Sequence, residues 1–369
     1  MNDPPLKDSP LTDWVDVLEA LLAGEDLSAP TTAWVMAEML TGAAPPANTA
    51  AFLVALRAKG ETAGEVSGLV TGMMNASVPL DVAGPVVDTC GTGGDRSHTV
   101  NISTMAAVLA AAAGARVAKH GNRAASSQSG SADMLEALGI VIDLPAAAAA
   151  EAGRRLGITF CFAPVFHPAM RHIGPIRREL GIRTVFNVLG PLANPAHPAA
   201  QVLGVPTEAI GDLMAGVLAA RGTKALVVHG GDGLDELTVY GPSTVWDLTG
   251  DEPRRVSLDP GALGISAPAP DALRGGSAQR NARLFRTLLD TPDDAAVAGI
   301  RDAVCLNAAA ALVAYAAAGG GLPITIPGVE ADLEARMTVA LPAAREALAS
   351  GAARALLDRW ISTSQDLQP

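Results

Sequence analysis

The chain has 369 residues, of which 49% are hydrophobic and 17% are charged, so it is long and apolar enough to bury a large core. Its net charge of -12, with only two Tyr and six Phe, argues against nucleic acid as a partner, because a polyanion requires basic and stacking surfaces. Cys90, Cys161 and Cys305 lie far apart without a CxxC pair, which indicates neither a disulfide framework nor a thiolate metal site and predicts a reducing cytoplasm.

The amino-terminal part of the sequence has helical character. The segment Met1–Pro10 is polar, acidic and proline-rich, so we expect no export signal there. From Leu11 to Ala76, apolar residues such as Trp14, Val17 and Leu21 recur at helical spacing without the alternation typical of strands. This pattern predicts a helical unit of about four helices.

Short β-rich runs begin after Gly84, and each is followed by a glycine-rich turn and a long helical segment. The runs are Pro85–Val87, Ala115–Ala118 and Ala225–Val228. Such alternation is typical of parallel βαβ units. We therefore expect an α/β protein in which a small all-helical domain accompanies a larger α/β domain, whose central, mostly parallel sheet is flanked by helices.

The remaining segments are less regular. Residues 170–192 contain two short helical pieces punctuated by Arg, Gly and Pro, and residues 251–278 are predicted to be surface connections. The uncharged stretch Ala303–Val329 contains Asn307 and three glycines from Gly319, which favours a buried helix ending near Gly319 over a membrane span. The predicted domains are a helical domain over residues 10–83, completed by about 170–194, and an α/β domain over 84–169 and 195–365.

The motif GTGGD at Gly91–Asp95 follows the first strand run, and its glycines let backbone N–H groups approach an anion closely. Alone it is also common structural punctuation. The next segment strengthens the phosphate interpretation, because short polar side chains precede the predicted helix Met105–Ala113, whose amino end favours anions. Plain N-capping would explain one of these side chains but not all four. They are Thr99, Asn101, Ser103 and Thr104.

A second loop, KHGNRAASSQSGS at Lys119–Ser131, follows the second strand run at the same end of the predicted sheet, where open α/β sheets bind ligands. Lys119 and Arg123 supply positive charge. His120 fits a core position as well as a ligand contact, and Asn122 fits an Asx-turn as well as contact with a carboxylate or amine. Hydroxyl donors are supplied by Ser126, Ser127, Ser129 and Ser131.

The sequence HGGDGLDE at His229–Glu236 follows the third strand run. Asp235 and Glu236 offer hard oxygen ligands of the kind that Mg²⁺ shares with water and substrate phosphates. Acidic pairs are common on solvated loops, but a pair placed after a strand and facing phosphate loops predicts a metal site.

Together these motifs closely resemble the anthranilate phosphoribosyltransferase family, tryptophan-pathway enzymes that share a fold with pyrimidine nucleoside phosphorylases. The resemblance covers essentially the whole chain, although the first ten residues and Pro242–Leu348 match less specifically. The motifs that carry it are KGET at Lys59–Thr62, GTGGD, TVNIST, KHGNRAASSQSGSADMLEALG, FAPVFHPAMRH at Phe162–His172, GPIRRELGIRTVFNVLGPLANP at Gly174–Pro195, and DGLDELT at Asp232–Thr238.

The resemblance implies transfer of a phosphoribosyl group from 5-phosphoribosyl 1-diphosphate to the amine of anthranilate, in a homodimer that pairs through its helical domain. It implies Mg²⁺, two ions per subunit, held by Ser103, Asp235 and Glu236. No single residue is identified as catalytic, and transition-state charge would be stabilised by Lys119, Arg123 and the metal-binding acids. The implied diphosphate-substrate contacts are Gly91, Gly94, Asp95, Thr99, Asn101, Ile102, Ser103, Thr104, Lys119, His120, Gly121, Asn122, Arg123, Ala124, Ala125, Ser126, Ser127 and Ser131. The implied anthranilate contacts are Gly91, Asn122 and Arg177, with Ala163, Pro164 and His167 lining the entry channel.

The sequence departs from the family pattern at Arg96, where relatives commonly have glycine, and at Met170, where some have an aromatic residue. Three alternatives remain open. A nucleoside phosphorylase would carry Ser-Gly-Arg where this chain has Gly121, Asn122 and Arg123. A non-catalytic nucleic-acid binder disagrees with the acidic balance. A paralogue that uses another aromatic acceptor fits the same residues.

Overall fold

The structure is a computed structural model that describes residues 10–124 and 128–368. The chain divides into two compact units. The helical unit contains the described residues up to Val78 together with His167–Ala193, and the α/β unit contains Pro79–Phe166 and the chain from Asn194 onward. The predicted fold class, a small helical domain plus a larger α/β domain, is confirmed.

The helical unit begins with four helices, as predicted, and its return segment adds short helical turns. Helices are numbered along the whole chain. Here they are α1 (Trp14–Leu22), α2 (Ala29–Thr41), α3 (Pro46–Lys59), α4 (Ala63–Asn75), α9 (Gly174–Leu180) and α10 (Phe186–Leu189), with 3-10 turns at Pro168–His172 and Gly190–Leu192.

The KGET motif lies between α3 and α4 and contributes to the start of α4. Thr62 and Glu65 form a reciprocal capping box at the start of α4, in which each side chain bonds to the backbone of the other residue. The fully buried Glu65 also accepts from the Leu27 N–H at 3.0 Å and pairs with the Lys59 ammonium at 3.0 Å. The motif therefore has a structural role within the helical unit.

The α/β unit is built on a seven-stranded sheet of order β3-β2-β1-β4-β5-β6-β7. The first five strands are parallel, and β6 and β7 are antiparallel. The strands are β1 (Val87–Gly91), β2 (Val117–Gly121), β3 (Ile158–Phe162), β4 (Ala200–Gly204), β5 (Lys224–Gly230), β6 (Ser243–Asp247) and β7 (Arg254–Leu258). Its helices are α5 (Ile102–Ala112), α6 (Ser131–Leu138), α7 (Ala146–Leu156), α8 (Ala163–Phe166), α11 (Glu208–Ala220), α12 (Ala278–Asp290), α13 (Ala298–Ala317), α14 (Leu333–Ala349) and α15 (Ala352–Asp366).

The core of this unit forms around α13, which packs against α5 and α14. Within the described residues, one helical stretch, Ala295–Ala317, has the length and apolar character of a membrane span, and most of it is buried inside the protein. As predicted, this helix is buried, and it ends just before Gly319, which adopts a left-handed φ of 78°.

Four sequence predictions of element bounds are wrong. Helix α5 begins at Ile102 and not at Met105, so Ser103 and Thr104 lie in its first turn. The first two strands begin at Val87 and Val117 and run on to Gly91 and Gly121, because their polar residues are buried within the sheet rather than placed in loops. Residues 251–278 are not all surface connection, since Arg254–Leu258 forms β7. As an edge strand, β7 exposes most of its side chains, so it carries no apolar run that would identify it.

Candidate active site

The GTGGD loop leaves the carboxyl end of β1, where Gly93 and Gly94 adopt left-handed φ values of 70° and 93°. Arg96 follows in the same region with φ 58°, a conformation that favours glycine and strains a residue with a Cβ. The Arg96 side chain is exposed. Thr99 then makes an isolated bridge to Arg274, which ties the end of the loop to the rest of the unit.

The acidic pair lies directly beside this loop. The Asp235 carboxylate accepts from the Gly93 N–H at 2.7 Å, and the Glu236 carboxylate accepts from the Ser103 N–H at 3.1 Å, in the first turn of α5. A Cβ on Gly91 would overlap the Asp235 carboxylate, and a Cβ on Gly204 would overlap the Asp235 backbone. The two glycines are therefore needed for this close approach.

Burial and mutual repulsion perturb the acids. Burial, then the charges of Asp95 and Glu236, raise the pKa of Asp235 well above its usual range. Burial likewise raises the pKa of Glu236 to about 7, against the opposing charge of Lys119. Asp235 also shares a side-chain hydrogen bond with Asp95. Three carboxylates thus crowd one site, an arrangement that a divalent cation would relieve.

Within residues 10–124 and 128–368, no group of three or more His, Cys, Asp or Glu side chains has the arrangement of a complete metal site. The oxygen donors predicted for the metal are the two adjacent carboxylates and the Ser103 hydroxyl, which bonds to Glu236. That set suits Mg²⁺, which binds few protein carboxylates and completes its shell with water and substrate phosphates. The residues therefore fit this ion.

Lys119 supplies a buried positive charge next to these groups. Only 1% of the residue is exposed, and its ammonium group donates to the Thr89 carbonyl and lies 3.4 Å from the Ser103 hydroxyl. The neighbouring His120 is also buried, and its backbone N–H donates to Asp88 at 3.2 Å. In the sequence, His120 was compatible with either a core position or a ligand contact.

The α5 amino end contains side chains with different roles. Ile102 is part of the hydrophobic core, so its side chain does not face a ligand. The Thr104 hydroxyl is buried and has no hydrogen-bond partner among the described residues. Asn101 precedes the helix and donates to the Ser129 carbonyl at 3.0 Å while accepting from Asn281 at 2.8 Å. The Asn101 side-chain amide therefore links the segments that contain Ser129 and Asn281.

The loop after β2 is stabilised from α6. Asp133 accepts from the backbone N–H groups of Ala124 and Gly130, each at 2.8 Å. Arg123 forms a bidentate pair with Glu136, at 2.7 and 3.0 Å, and lies over the Phe162 ring. The Arg123 guanidinium therefore pairs with a carboxylate of α6 in this structure.

Two further members of the loop bond locally. The Asn122 side-chain oxygen accepts from the Arg123 N–H at 2.8 Å. The Ser131 hydroxyl donates to the Asn122 carbonyl at 3.4 Å, and a Cβ on Gly121 would overlap that hydroxyl. Ala125, Ser126 and Ser127, which the resemblance assigns to the same substrate, lie outside the described residues.

The residues assigned to anthranilate fall in both units. Ala163 and Pro164 form the start of α8 in the α/β unit. In the helical unit, Arg177 of α9 is half-buried and lies over the Phe186 ring at 5.1 Å, and burial lowers its pKa. His167 is buried with its Nε2 2.8 Å from the Ala193 carbonyl, and burial lowers its pKa as well.

Two buried asparagines that support the site were missed in the sequence. Asn281 of α12 accepts from the Gly276 N–H at 2.9 Å and donates to Asn101. Asn307 of α13 bonds to both backbone groups of Leu237, at 3.0 and 2.9 Å, directly after the acidic pair. An amide within the otherwise apolar run around Asn307 was the available signal, because a buried polar side chain requires partners.

Comparison with known proteins identifies the family. The family model described as "Glycosyl transferase family, a/b domain" matches residues 83–354. The model described as "Glycosyl transferase family, helical bundle domain" matches residues 15–77. An anthranilate phosphoribosyltransferase from a Nocardioides species is 52% identical over 96% of this chain and 99% of its own length. The chain belongs to the anthranilate phosphoribosyltransferase family.

Solved structures of the family agree with the fold. The enzyme from Thermus thermophilus is 41% identical to this chain and superposes with a TM-score of 0.84. The match covers 95% of this chain and 99% of the Thermus chain. The enzyme from Saccharomyces cerevisiae, solved with phosphoribosyl diphosphate and Mg, is 26% identical over 96% of this chain and 98% of its own, with a TM-score of 0.82. The resemblance drawn from the motifs is therefore confirmed.

Proposed function

We propose that this chain transfers the 5-phosphoribosyl group of 5-phosphoribosyl 1-diphosphate to the amine of anthranilate, giving N-(5-phosphoribosyl)anthranilate and pyrophosphate. The observation that carries the proposal is the convergence of the GTGGD loop, the amino end of α5 and the acidic pair. Gly93 bonds to Asp235 and Ser103 bonds to Glu236, which brings together motifs from distant parts of the sequence. The names of the relatives support the same reaction.

The α/β unit stabilises the departing diphosphate. As the bond from C1 to the diphosphate oxygen breaks, its electron pair leaves with the diphosphate and positive charge develops on the ribose. Backbone N–H groups of the GTGGD loop and the positive end of α5 attract that anion. Lys119 adds a buried cation next to Ser103, where low solvent exposure strengthens its effect.

Asp235, Glu236 and Ser103 would hold magnesium, with two ions per subunit as part of the proposal. The raised pKa values of the two acids support this assignment, because the site lacks enough positive charge of its own. When bound, magnesium would neutralise part of the charge on the diphosphate. The yeast relative was solved with Mg, which supports use of this ion here.

The acceptor is oriented by residues from several motifs. Arg177 offers a planar, forked guanidinium suited to the anthranilate carboxylate, and stacking on Phe186 preorganises it. Gly91 and Asn122 would contact the same molecule, and Ala163, Pro164 and His167 would line its entry channel. The amine attacks C1 from the side opposite the diphosphate and loses a proton, so the configuration at C1 inverts. No covalent enzyme intermediate is required.

The proposal includes a homodimer that forms through the helical unit, in a reducing cytoplasm. Three large apolar side chains on two helices of that unit are exposed, and pairing would cover them. They are Val15 and Leu22 of α1, 64% and 75% exposed, and Val54 of α3, 42% exposed.

The proposal is tested by following anthranilate fluorescence with saturating phosphoribosyl diphosphate and magnesium. Wild type should consume anthranilate. Arg177→Ala should raise KM for anthranilate by on the order of 10- to 100-fold, because a charge-assisted bidentate contact is lost. Arg178→Ala removes an exposed arginine from the same helix and should leave that KM unchanged.

The outcomes separate the alternatives. If wild type leaves anthranilate untouched but consumes another aromatic amine, the acceptor is wrong and the transferase chemistry stands. If it instead cleaves pyrimidine nucleosides with inorganic phosphate, the chain is a phosphorylase. Equal effects of the Arg177 and Arg178 substitutions would remove Arg177 from the acceptor site.

A further inference from the structure

Strands β1 and β2 stop pairing at the end where they lead into the two phosphate loops. β1 pairs with β4 along five residues, from Val87 with Ala200 to Gly91 with Gly204. The described pairing of β1 with β2 is limited to Val87 and Val117. Beyond that point, the facing backbone groups of the two buried strands need other partners.

Three side chains provide those partners. The Asp88 carboxylate accepts from the His120 N–H at 3.2 Å, and the Asn194 amide donates to the Ala118 carbonyl at 2.7 Å. The Lys119 ammonium donates to the Thr89 carbonyl. Side chains therefore replace a backbone ladder that would hold neighbouring strands about 4.8 Å apart.

Asp88 and Asn194 also bond to each other. The Asn194 amide donates to the second Asp88 oxygen at 2.9 Å, and its own oxygen accepts from the Ala196 N–H at 2.9 Å. Both residues are essentially inaccessible, at 0% and 1% exposure. Burial raises the pKa of Asp88, while Lys119 and these hydrogen bonds act in the opposite direction.

Replacing a backbone ladder with these side chains is not expected to make the sheet more stable. A direct backbone ladder would satisfy the same N–H and C=O groups without burying a carboxylate, which is costly to desolvate. The opening lies where β1 passes into the GTGGD loop and β2 passes into the loop that follows Gly121. Its position thus suggests a role in setting the spacing between those loops.

We propose that Asp88 and Asn194 are positioning residues that set the separation of the two loops and thereby the affinity for the diphosphate end of the substrate. The inference rests on the proposed function. Neither residue touches the substrate: Asp88 acts through the His120 backbone, and Asn194 acts through the Ala118 carbonyl and Asp88. Both should affect the diphosphate more than the acceptor.

The test measures calorimetric binding of inorganic pyrophosphate with magnesium, together with KM for each substrate. Asp88→Asn keeps the side-chain shape, but it removes the charge and sets an amide against the Asn194 donor. Asn194→Ser deletes the amide and supplies a second variant if the first does not fold. Because displaced binding groups lose affinity steeply, we expect pyrophosphate Kd and the phosphoribosyl-diphosphate KM to rise on the order of 10- to 100-fold. KM for anthranilate should not change.

A matched control is available in Asp247, a buried carboxylate on β6 of the same sheet that pairs with Arg336. Asp247→Asn should lower thermal stability and leave pyrophosphate binding unchanged.

The inference is overturned if folded Asp88→Asn or Asn194→Ser protein binds pyrophosphate as wild type does, or if Asp247→Asn weakens binding equally. Pyrophosphate binding does not involve the acceptor. Wild type that binds pyrophosphate without consuming anthranilate would therefore refute the proposed acceptor and leave this inference standing. Wild type that fails to bind pyrophosphate would overturn both.

Discussion

The Asp235 carboxylate accepts a hydrogen bond from the Gly93 N–H at 2.7 Å across 142 positions of sequence. One side of the contact is an acid predicted to bind metal, and the other is a loop predicted to bind phosphate. In the structure they are direct neighbours. A phosphate group that binds this N–H would therefore compete with a protein carboxylate for the same donor.

Removing the acidic pair should abolish stabilisation by ligand. Magnesium with pyrophosphate at about 100 times Kd should stabilise wild type by roughly 2.7 kcal/mol, since ligand binds only the folded state. Asp235→Asn combined with Glu236→Gln should eliminate that gain and lower activity at least 100-fold, about 2.7 kcal/mol in transition-state stabilisation. Differential scanning calorimetry with and without magnesium pyrophosphate measures the first effect.

The chain contains a matched control for this experiment. Asp251 and Glu252 are also an adjacent acidic pair, but both are exposed. Asp251→Asn with Glu252→Gln should keep the ligand-induced stabilisation. A preserved ligand response in the Asp235 and Glu236 variant would exclude those residues from the metal site.

Much of this arrangement follows from local patterns. Parallel strands present their carboxyl ends at one edge of a sheet, so loops after β1, β2 and β5 were expected to lie near one another. Helical periodicity and the βαβ alternation correctly predicted the two-part fold. The strand bounds were harder, because Asp88 and Thr89 look like loop residues and their burial depends on partners far away in sequence.

Long-range polar contacts could not be predicted from the sequence. Asn281 bonds to Asn101 across 180 positions, and Asn194 bonds to Asp88 across 106. An isolated asparagine has no periodicity that reveals its partner, and turns are its more common location. The separation of β1 from β2 likewise depends on side chains that only the folded sheet brings together.

Arg96 should be a strained position whose replacement by glycine stabilises the loop. Its φ of 58° lies in the left-handed region, where a Cβ costs roughly 1–2 kcal/mol relative to glycine. Arg96→Gly should raise the free energy of unfolding of the α/β unit by about 1 kcal/mol, because glycine's greater freedom when unfolded offsets part of the gain. Arg96→Ala removes the same charge and keeps the Cβ, so it should give no such gain. Equal stabilisation by both substitutions in thermal unfolding would attribute the effect to charge instead.

His167 should make the helical unit less stable in mild acid. Its Nε2 faces the Ala193 carbonyl, which only accepts, so the buried ring is held as a neutral donor. Its pKa is lowered from 6.5 by burial, so below pH 6.5 the unfolded state takes up a proton that the folded state resists. Stability is therefore unaffected above that pH, falls as pH decreases towards the folded pKa, and is then constant. Each unit of pKa depression corresponds to about 1.4 kcal/mol.

Amide hydrogen exchange in the helical unit at several pH values measures this effect. His167→Gln retains a donor for the Ala193 carbonyl but does not titrate, so it should show a weaker loss of protection in acid. His197→Gln, which replaces an exposed histidine of the α/β unit, should behave as wild type. A wild-type pH response in the His167 variant would assign the acid sensitivity to other groups.

Asn307 should be required for the metal site although it does not belong to it. Its side chain accepts from the Leu237 N–H and donates to the Leu237 carbonyl, immediately after Glu236. Asn307→Ala leaves both buried backbone groups without those bonds, at a cost of about 1–3 kcal/mol each, and should also weaken magnesium-dependent pyrophosphate binding. Asn307→Asp keeps the acceptor and loses the donor, so its effect should be intermediate if geometry rather than charge dominates.

The control is Ser364→Ala, which removes a buried hydroxyl that bonds to the Val141 N–H elsewhere in the α/β unit. It should lower stability without changing pyrophosphate affinity, since its hydrogen bonds are to Val141 and Ile361 and not to the acidic pair. If Asn307→Ala lowers stability and binds magnesium pyrophosphate normally, then the backbone at Leu237 does not control the position of Asp235 and Glu236. In that case the glycines at 91 and 204, which admit Asp235 against β1 and β4, would be sufficient to hold the pair in place.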